Sequence, residues 1–69
     1  MKKISVVVPC YNEEENVVPM ANAIREVFKN DLSAYKYEII FIDNDSKDRT
    51  RELIRELCKN DKGIKGIFN

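Results

Sequence analysis

Lys3-Ile4-Ser5-Val6-Val7-Val8 is an apolar, β-branched run in which the valines follow one another without alternation. Such a run predicts a strand covered on both faces, as in a parallel sheet. Pro9 stops it, so the strand spans about residues 3–8. The period then changes. Apolar residues at 17, 20, 21, 24, 27 and 28 have helix spacing. Pro19 fits only in a first turn, where a missing N–H costs nothing. The helix therefore covers about 15–30, and Asn30-Asp31-Leu32-Ser33 breaks it. Glu38-Ile39-Ile40-Phe41-Ile42 carries a second strand, about 37–43. Leu53, Ile54, Leu57 and Cys58 stripe a second helix, about 48–60, with Arg51, Glu52, Arg55 and Glu56 on its wet side. Ser46 or Asp48 caps its start, where negative charge complements the helix dipole. Gly63 fits its exit, and residues 64–68 read as a third strand. The fold class is α/β: one β-α-β-α-β unit, residues 1–69, with a Rossmann-like parallel sheet and right-handed crossovers.

Composition narrows the partners. The chain has 69 residues, 12 basic and 12 acidic, for a net charge of zero. A nucleic-acid face needs clustered excess Lys and Arg, and none is present. No apolar run approaches the ~18 residues of a membrane span. The start has too short an apolar stretch before Pro9 for a signal peptide. Cys10 and Cys58 lack metal spacing, and the absence of histidine excludes His-based catalysis and His-type zinc sites. A cytoplasmic chain with reduced thiols is the expectation.

The chemistry gathers after the strands. The first runs into Pro9-Cys10-Tyr11-Asn12-Glu13-Glu14, the second into Asp43-Asn44-Asp45-Ser46-Lys47-Asp48. Ligands of parallel α/β sheets bind outside the carboxyl ends of strands. Tyr11 can lay its ring on a flat base or pack on the helix. Glu13 lies closer to the strand end than Glu14 and Glu15, which suit the helix dipole. Asp43 can accept a hydrogen bond from a base N–H or a ribose hydroxyl. The first turn has no G-x-G-x-x-G and is acidic and bulky, so it does not suit a dinucleotide pyrophosphate, and no P-loop is present. The calcium-loop pattern D-x-[DN]-x-[DN]-G fails where Asp48 stands in place of Gly. A phospho-acceptor, receiver-like domain using Asp43 and a non-catalytic module recruiting a partner strand remain alternatives.

Residues Ser5 to Glu14, followed by Ile42 to Thr50, resemble the N-terminal motifs of family 2 glycosyltransferases. The likeness is in particular to the polyprenyl-phosphate branch, bactoprenol glucosyltransferases and dolichol-phosphate mannose synthases, and covers essentially the whole chain. It implies half of a GT-A nucleotide-sugar-binding domain. The parent would transfer a hexose from a UDP- or GDP-sugar to a polyprenyl phosphate with Mg²⁺ or Mn²⁺, on the cytoplasmic side of a membrane held by segments beyond this chain. By resemblance, Pro9, Tyr11 and Glu13 line the nucleotide pocket with Asn44 and Asp45, and Asp43 binds the base. Asn44 departs from the more usual Asp and Asp45 from a common Gly, although Asp tolerates a left-handed backbone. The family's D-x-D metal ligands, catalytic base and acceptor site lie farther along, so this chain alone is expected to be inactive. The resemblance also implies that strand one becomes a sheet edge here, through which the chain self-associates.

Overall fold

In the computed structural model, which describes residues 2–69, strands and helices alternate: β1 Lys3–Cys10, α1 Val17–Asp31, β2 Lys36–Asp43, α2 Thr50–Asn60 and β3 Ile64–Phe68. The strands form one parallel sheet in the order β1-β2-β3. This is the predicted α/β unit. β1 runs through Pro9 rather than stopping before it. The amides of Lys36 and Asn44 donate to the main-chain oxygens of Lys2 and Cys10. Even-numbered residues of β1 therefore face β2, and the N–H that Pro9 lacks would point away from the ladder, at no cost. The helices start at Val17 and Thr50 rather than near 15 and 48. Ahead of α1 the amides of Asn16 and Val17 both donate to the carbonyl of Glu13, closing a separate turn.

The register places Val6, Val8 and Cys10 beside Ile39, Phe41 and Asp43, and these beside Ile64, Gly66 and Phe68. That face packs against Val17 and Ala21 of α1 and Ile54 of α2, forming the core. Both crossovers step across the sheet in one direction, so right-handed connections put both helices on one side. Phe41, Ile39, Ile54 and Val17 are fully buried, each stabilising the fold by about 1.5–3 kcal/mol. The other face carries Val7, Pro9, Ile40, Ile42 and Ile67, and Val7 is 55% exposed. The expectation that β1 is covered on both faces thus fails. Its consecutive valines satisfy strand propensity, but only the even-numbered side chains turn toward the helices.

Gly63 is corrected as well. α2 ends at an extended Asp61, and no glycine has positive φ. Gly63 instead makes room for Tyr37, whose Cε1 would lie 2.6 Å from an added Cβ. Two stripe assignments shift too: Val27 is half exposed, and Arg51 turns from the wet side toward β2. No helix among the described residues is long and apolar enough to cross a membrane.

Candidate functional site at the strand ends

β1 and β2 end in register, Cys10 beside Asp43. The loops that follow are stitched together rung by rung. Asn44 N–H donates to the Cys10 carbonyl at 2.9 Å. Asn12 N–H donates to Ser46 Oγ at 2.9 Å, and Lys47 N–H returns to Asn12 Oδ1 at 2.8 Å. Glu13 N–H donates to Thr50 Oγ1 at 2.8 Å, and Glu14 N–H to Asp48 Oδ2 at 3.2 Å. Asn12 (φ 51°) and Asp45 (φ 60°) are left-handed, one in each loop. Asn and Asp occupy that region more readily than other side chains. The turn expected at Asp45 therefore survives the absence of glycine.

Asp43 sits behind this unit with no exposed surface. Its Oδ2 accepts from Ser46 N–H at 3.0 Å and from Arg51 Nη1 at 3.2 Å, and its Oδ1 accepts from the Ser46 hydroxyl. A buried carboxylate requires such partners, since an unpaired charge there would be strongly destabilising. Asp48 organises the helix start. Its Oδ1 accepts from the Thr50 amide and hydroxyl. Partial desolvation opposes its charge, but hydrogen bonds from Thr50 and from the Glu14 amide outweigh that and hold its carboxyl below the usual range. Asp48, not Ser46, thus takes the expected capping role from one residue outside the N-cap Arg49.

Pro9, Tyr11, Asn44 and Asp45 are exposed. Tyr11, at 57%, presents its ring to solvent directly past Cys10, while Asn44 stands in the same position past Asp43. Asp45 is paired with Lys47 Nζ at 2.8 Å, which lowers its pKa. Glu13 is half-buried, with its carboxylate accepting from Asn16 Nδ2 at 2.8 Å. All six residues singled out from the sequence thus lie at or just past the ends of two adjacent strands, five of them at least partly exposed and Asp43 buried. Burial, followed by the charges of Glu13 and Asp43, pushes the Cys10 thiol upward. Cys10 is thus a packing residue rather than a nucleophile.

Sequence reasoning gave Asn12, Thr50 and Arg51 no role at the site and Ser46 only a capping one. Their signal was the pairing of two short polar motifs at two strand ends, since hydroxyls and amides there must satisfy loop backbone across the gap. Among the described residues no group of His, Cys, Asp or Glu side chains converges to hold a metal. The residues present therefore do not fit a divalent-cation centre, and no chemistry here is routed through one. A depression of ≈ 490 Å³ lies at the opposite, amino ends of the strands, lined by Lys3, Lys36, Lys62 and Lys65 with Tyr35, Tyr37, Glu38 and Asp61. Its polar groups are spent on one another, since Asp61 accepts from the Tyr37 hydroxyl, Arg25 and the Gly63 amide.

Comparison with known proteins gives the family. The model of the family described as Glycosyl transferase family 2 matches residues 5–69. A prophage bactoprenol glucosyl transferase homolog of Escherichia coli K12 is 42% identical over 59 residues, covering 86% of this chain and 19% of that protein. A dolichol-phosphate mannosyltransferase of Pyrococcus furiosus is 44% identical over 55 residues, covering 80% of this chain and 14% of its own length. A putative glycosyltransferase of Bacillus subtilis is 38% identical over 64 residues, covering 93% of this chain and 19% of its own. The chain thus spans about one fifth or less of these relatives.

Proposed function

This chain belongs to glycosyl transferase family 2, and we propose that it is the nucleotide-sugar-binding portion of a glycosyltransferase that moves a hexose from a UDP- or GDP-sugar to a polyprenyl phosphate. The observation that carries the reading is the double-loop ledge, in which the Asn12–Ser46 and Glu13–Thr50 hydrogen bonds hold Tyr11 and Asn44 exposed at the ends of adjacent parallel strands. An exposed ring beside an exposed amide suits a flat, hydrogen-bonding base. The Tyr11 ring stacks on the base. Asn44 Oδ1 can accept the ring N–H of uracil or guanine while Nδ2 donates to the adjacent carbonyl. Pro9 and Glu13 border the ring, and Asp45 takes a ribose hydroxyl.

Asp43 reaches a base only if the Ser46 turn or Arg51 moves aside, because its side chain has no exposed surface and is enclosed by these partners. Its role in this proposal is to support Asn44 from below. Mg²⁺ or Mn²⁺ would be held by residues outside this chain, as would the acceptor and its membrane attachment on the cytoplasmic side. The 69-residue chain then binds a nucleotide without transferring sugar. Relatives named for bactoprenol and dolichol phosphate support the choice of acceptor.

The test is titration of the ¹⁵N-labelled chain with UDP, GDP and ADP. Amides of residues 11–12 and 44–46 should shift with UDP or GDP, and ADP measures how far the ledge accepts any flat base. Shifts confined to other residues, or none at millimolar nucleotide, would overturn the reading.

A further inference from the structure

We propose that Arg51 is the positioning residue of the nucleotide ledge, clamping the end of β2 to the end of β3 so that the loop bearing Asn44 and Asp45 keeps its shape. This rests on the proposed nucleotide reading for its functional consequence, but not for its structural one.

One guanidinium nitrogen spans both strand ends. Arg51 Nη1 donates to Asp43 Oδ2 at 3.2 Å and to the main-chain oxygen of Asn69 at 2.9 Å. Asp45 Oδ1 lies 4.0 Å from the same nitrogen. The guanidinium carbon stands 5.2 Å from the centre of the Phe68 ring, which Arg55 also approaches, at 4.5 Å. Arg51 therefore meets β2 through Asp43, the following loop through Asp45, β3 through Phe68, and the residue after β3, Asn69. Asn69 closes the same circuit: its N–H donates to the Asp43 carbonyl, and its Nδ2 to Asn44 Oδ1 at 3.0 Å. The amide proposed to read the base is thus held by a residue that Arg51 itself holds.

The charge balance explains why a cation is needed. Asp43 has no exposed surface, and its other partners are the amide and hydroxyl of Ser46, which carry no charge. Arg51, with its side chain 28% exposed, is the one cation paired with Asp43 among the described residues. Removing it leaves a buried carboxylate uncompensated, which is more disruptive than losing both partners together. The nearest relief is for Asp43 to swing out toward water, and that would drag the Ser46 turn and Asn44 with it.

The experiment compares Arg51→Met, Arg51→Lys and the double variant Arg51→Met with Asp43→Asn. It reads {¹H}-¹⁵N NOEs of residues 44–47 without ligand, and UDP and GDP affinity by titration. In Arg51→Met the NOEs of 44–47 should fall while those of β1 and β2 hold, and nucleotide affinity should drop about tenfold or more, the scale of a lost charge-assisted hydrogen bond. Arg51→Lys should restore most of both. The double variant should recover loop order relative to Arg51→Met, because it removes the stranded charge. Unchanged loop NOEs in folded Arg51→Met would overturn the proposal, as would loss of loop order spread evenly over the sheet. If wild type binds no nucleotide yet Arg51→Met loosens the loop, the nucleotide reading fails and the clamp stands.

Discussion

The backbone amide of Asn12 and the hydroxyl of Ser46, 34 positions apart in sequence, meet at 2.9 Å. The same hydroxyl donates to Asp43. One oxygen therefore links the loop after β1 to the loop after β2 and supports the buried acid beneath them. Ser46→Ala should strand the Asn12 amide and take one hydrogen from Asp43. A loss of about 1–3 kcal/mol in urea unfolding is expected, the scale for an unsatisfied buried group. Affinity for UDP or GDP should fall in parallel. A Ser46→Ala chain with wild-type stability and affinity would show that the two loops are not coupled through this contact.

At the opposite end of the sheet the Tyr37 hydroxyl donates to Asp61 Oδ2 at 2.6 Å, and Arg25 Nη1 reaches the same oxygen at 2.9 Å. Burial opposes the Asp61 charge, but hydrogen bonds from Tyr37, the Gly63 amide and Arg25 together hold its carboxyl below the ordinary value. A folded-state pKa depressed below the unfolded one contributes stability above the unfolded value, and that contribution is lost as pH falls through the folded one. For Asp61 the losses therefore begin below about pH 4, the unfolded range of aspartate. Asp61→Asn should be less stable than wild type at pH 7, and the gap should narrow below pH 4. Tyr37 moves the other way: burial, then the bond to Asp61, raises its pKa. Its contribution is intact below about pH 10, the unfolded value, and is lost above it as the phenol ionises. A gap between Asp61→Asn and wild type that is flat from pH 7 to 3 would refute the acid-side assignment.

Gly66 lies where α2 crosses β3. A Cβ there would stand 2.9 Å from Ile54 Cγ2 and 3.0 Å from the Phe68 ring. Overpacking of this kind typically costs about 1–3 kcal/mol. Gly66→Ala should be destabilised within that range, and adding Ile54→Val, which removes bulk at the contact, should recover part of the loss rather than add to it. Strictly additive effects in chemical denaturation would mean that helix and strand separate freely at this point.

Much of this architecture was legible because periodicity reports burial. The change from a strand run at Val6–Val8 to helical spacing from Val17 marked β1 and α1, and Ile39–Ile42 marked β2. What the pattern could not give was the number of covered faces, since Val7 and Val8 look alike in sequence and differ only in which side of β1 they leave. At the site, motif resemblance and strand-end logic singled out six residues. Their division of labour was not legible. Asp43 and Asn44 are neighbours, yet a half-turn of backbone sends one inside and the other outward. Arg51 was assigned to solvent because helical spacing describes where Cβ points, while a long side chain can bend back over the helix start to meet a buried acid.

The remaining prediction concerns the free edge of β1. Its even-numbered residues bond β2, so the N–H groups of Lys3, Ser5 and Val7 point outward and Pro9 offers none. An exposed, β-branched edge is a template for another strand. A two-fold axis through Ser5 would set Ser5 opposite Ser5 and Lys3 opposite Val7, an antiparallel register that uses every outward N–H of these residues and leaves Pro9 outside it. It would also join two open sheet faces, each bearing the half-exposed Val7. The 69-residue chain should therefore sediment as a dimer at high concentration. Ser5→Pro separates this from loss of folding: it deletes an N–H that the β1–β2 ladder does not use, so the fold should persist while the dimer disappears. Two outcomes would remove the edge from consideration: a wild-type chain that stays monomeric at high concentration, or a Ser5→Pro chain that dimerises as well as wild type.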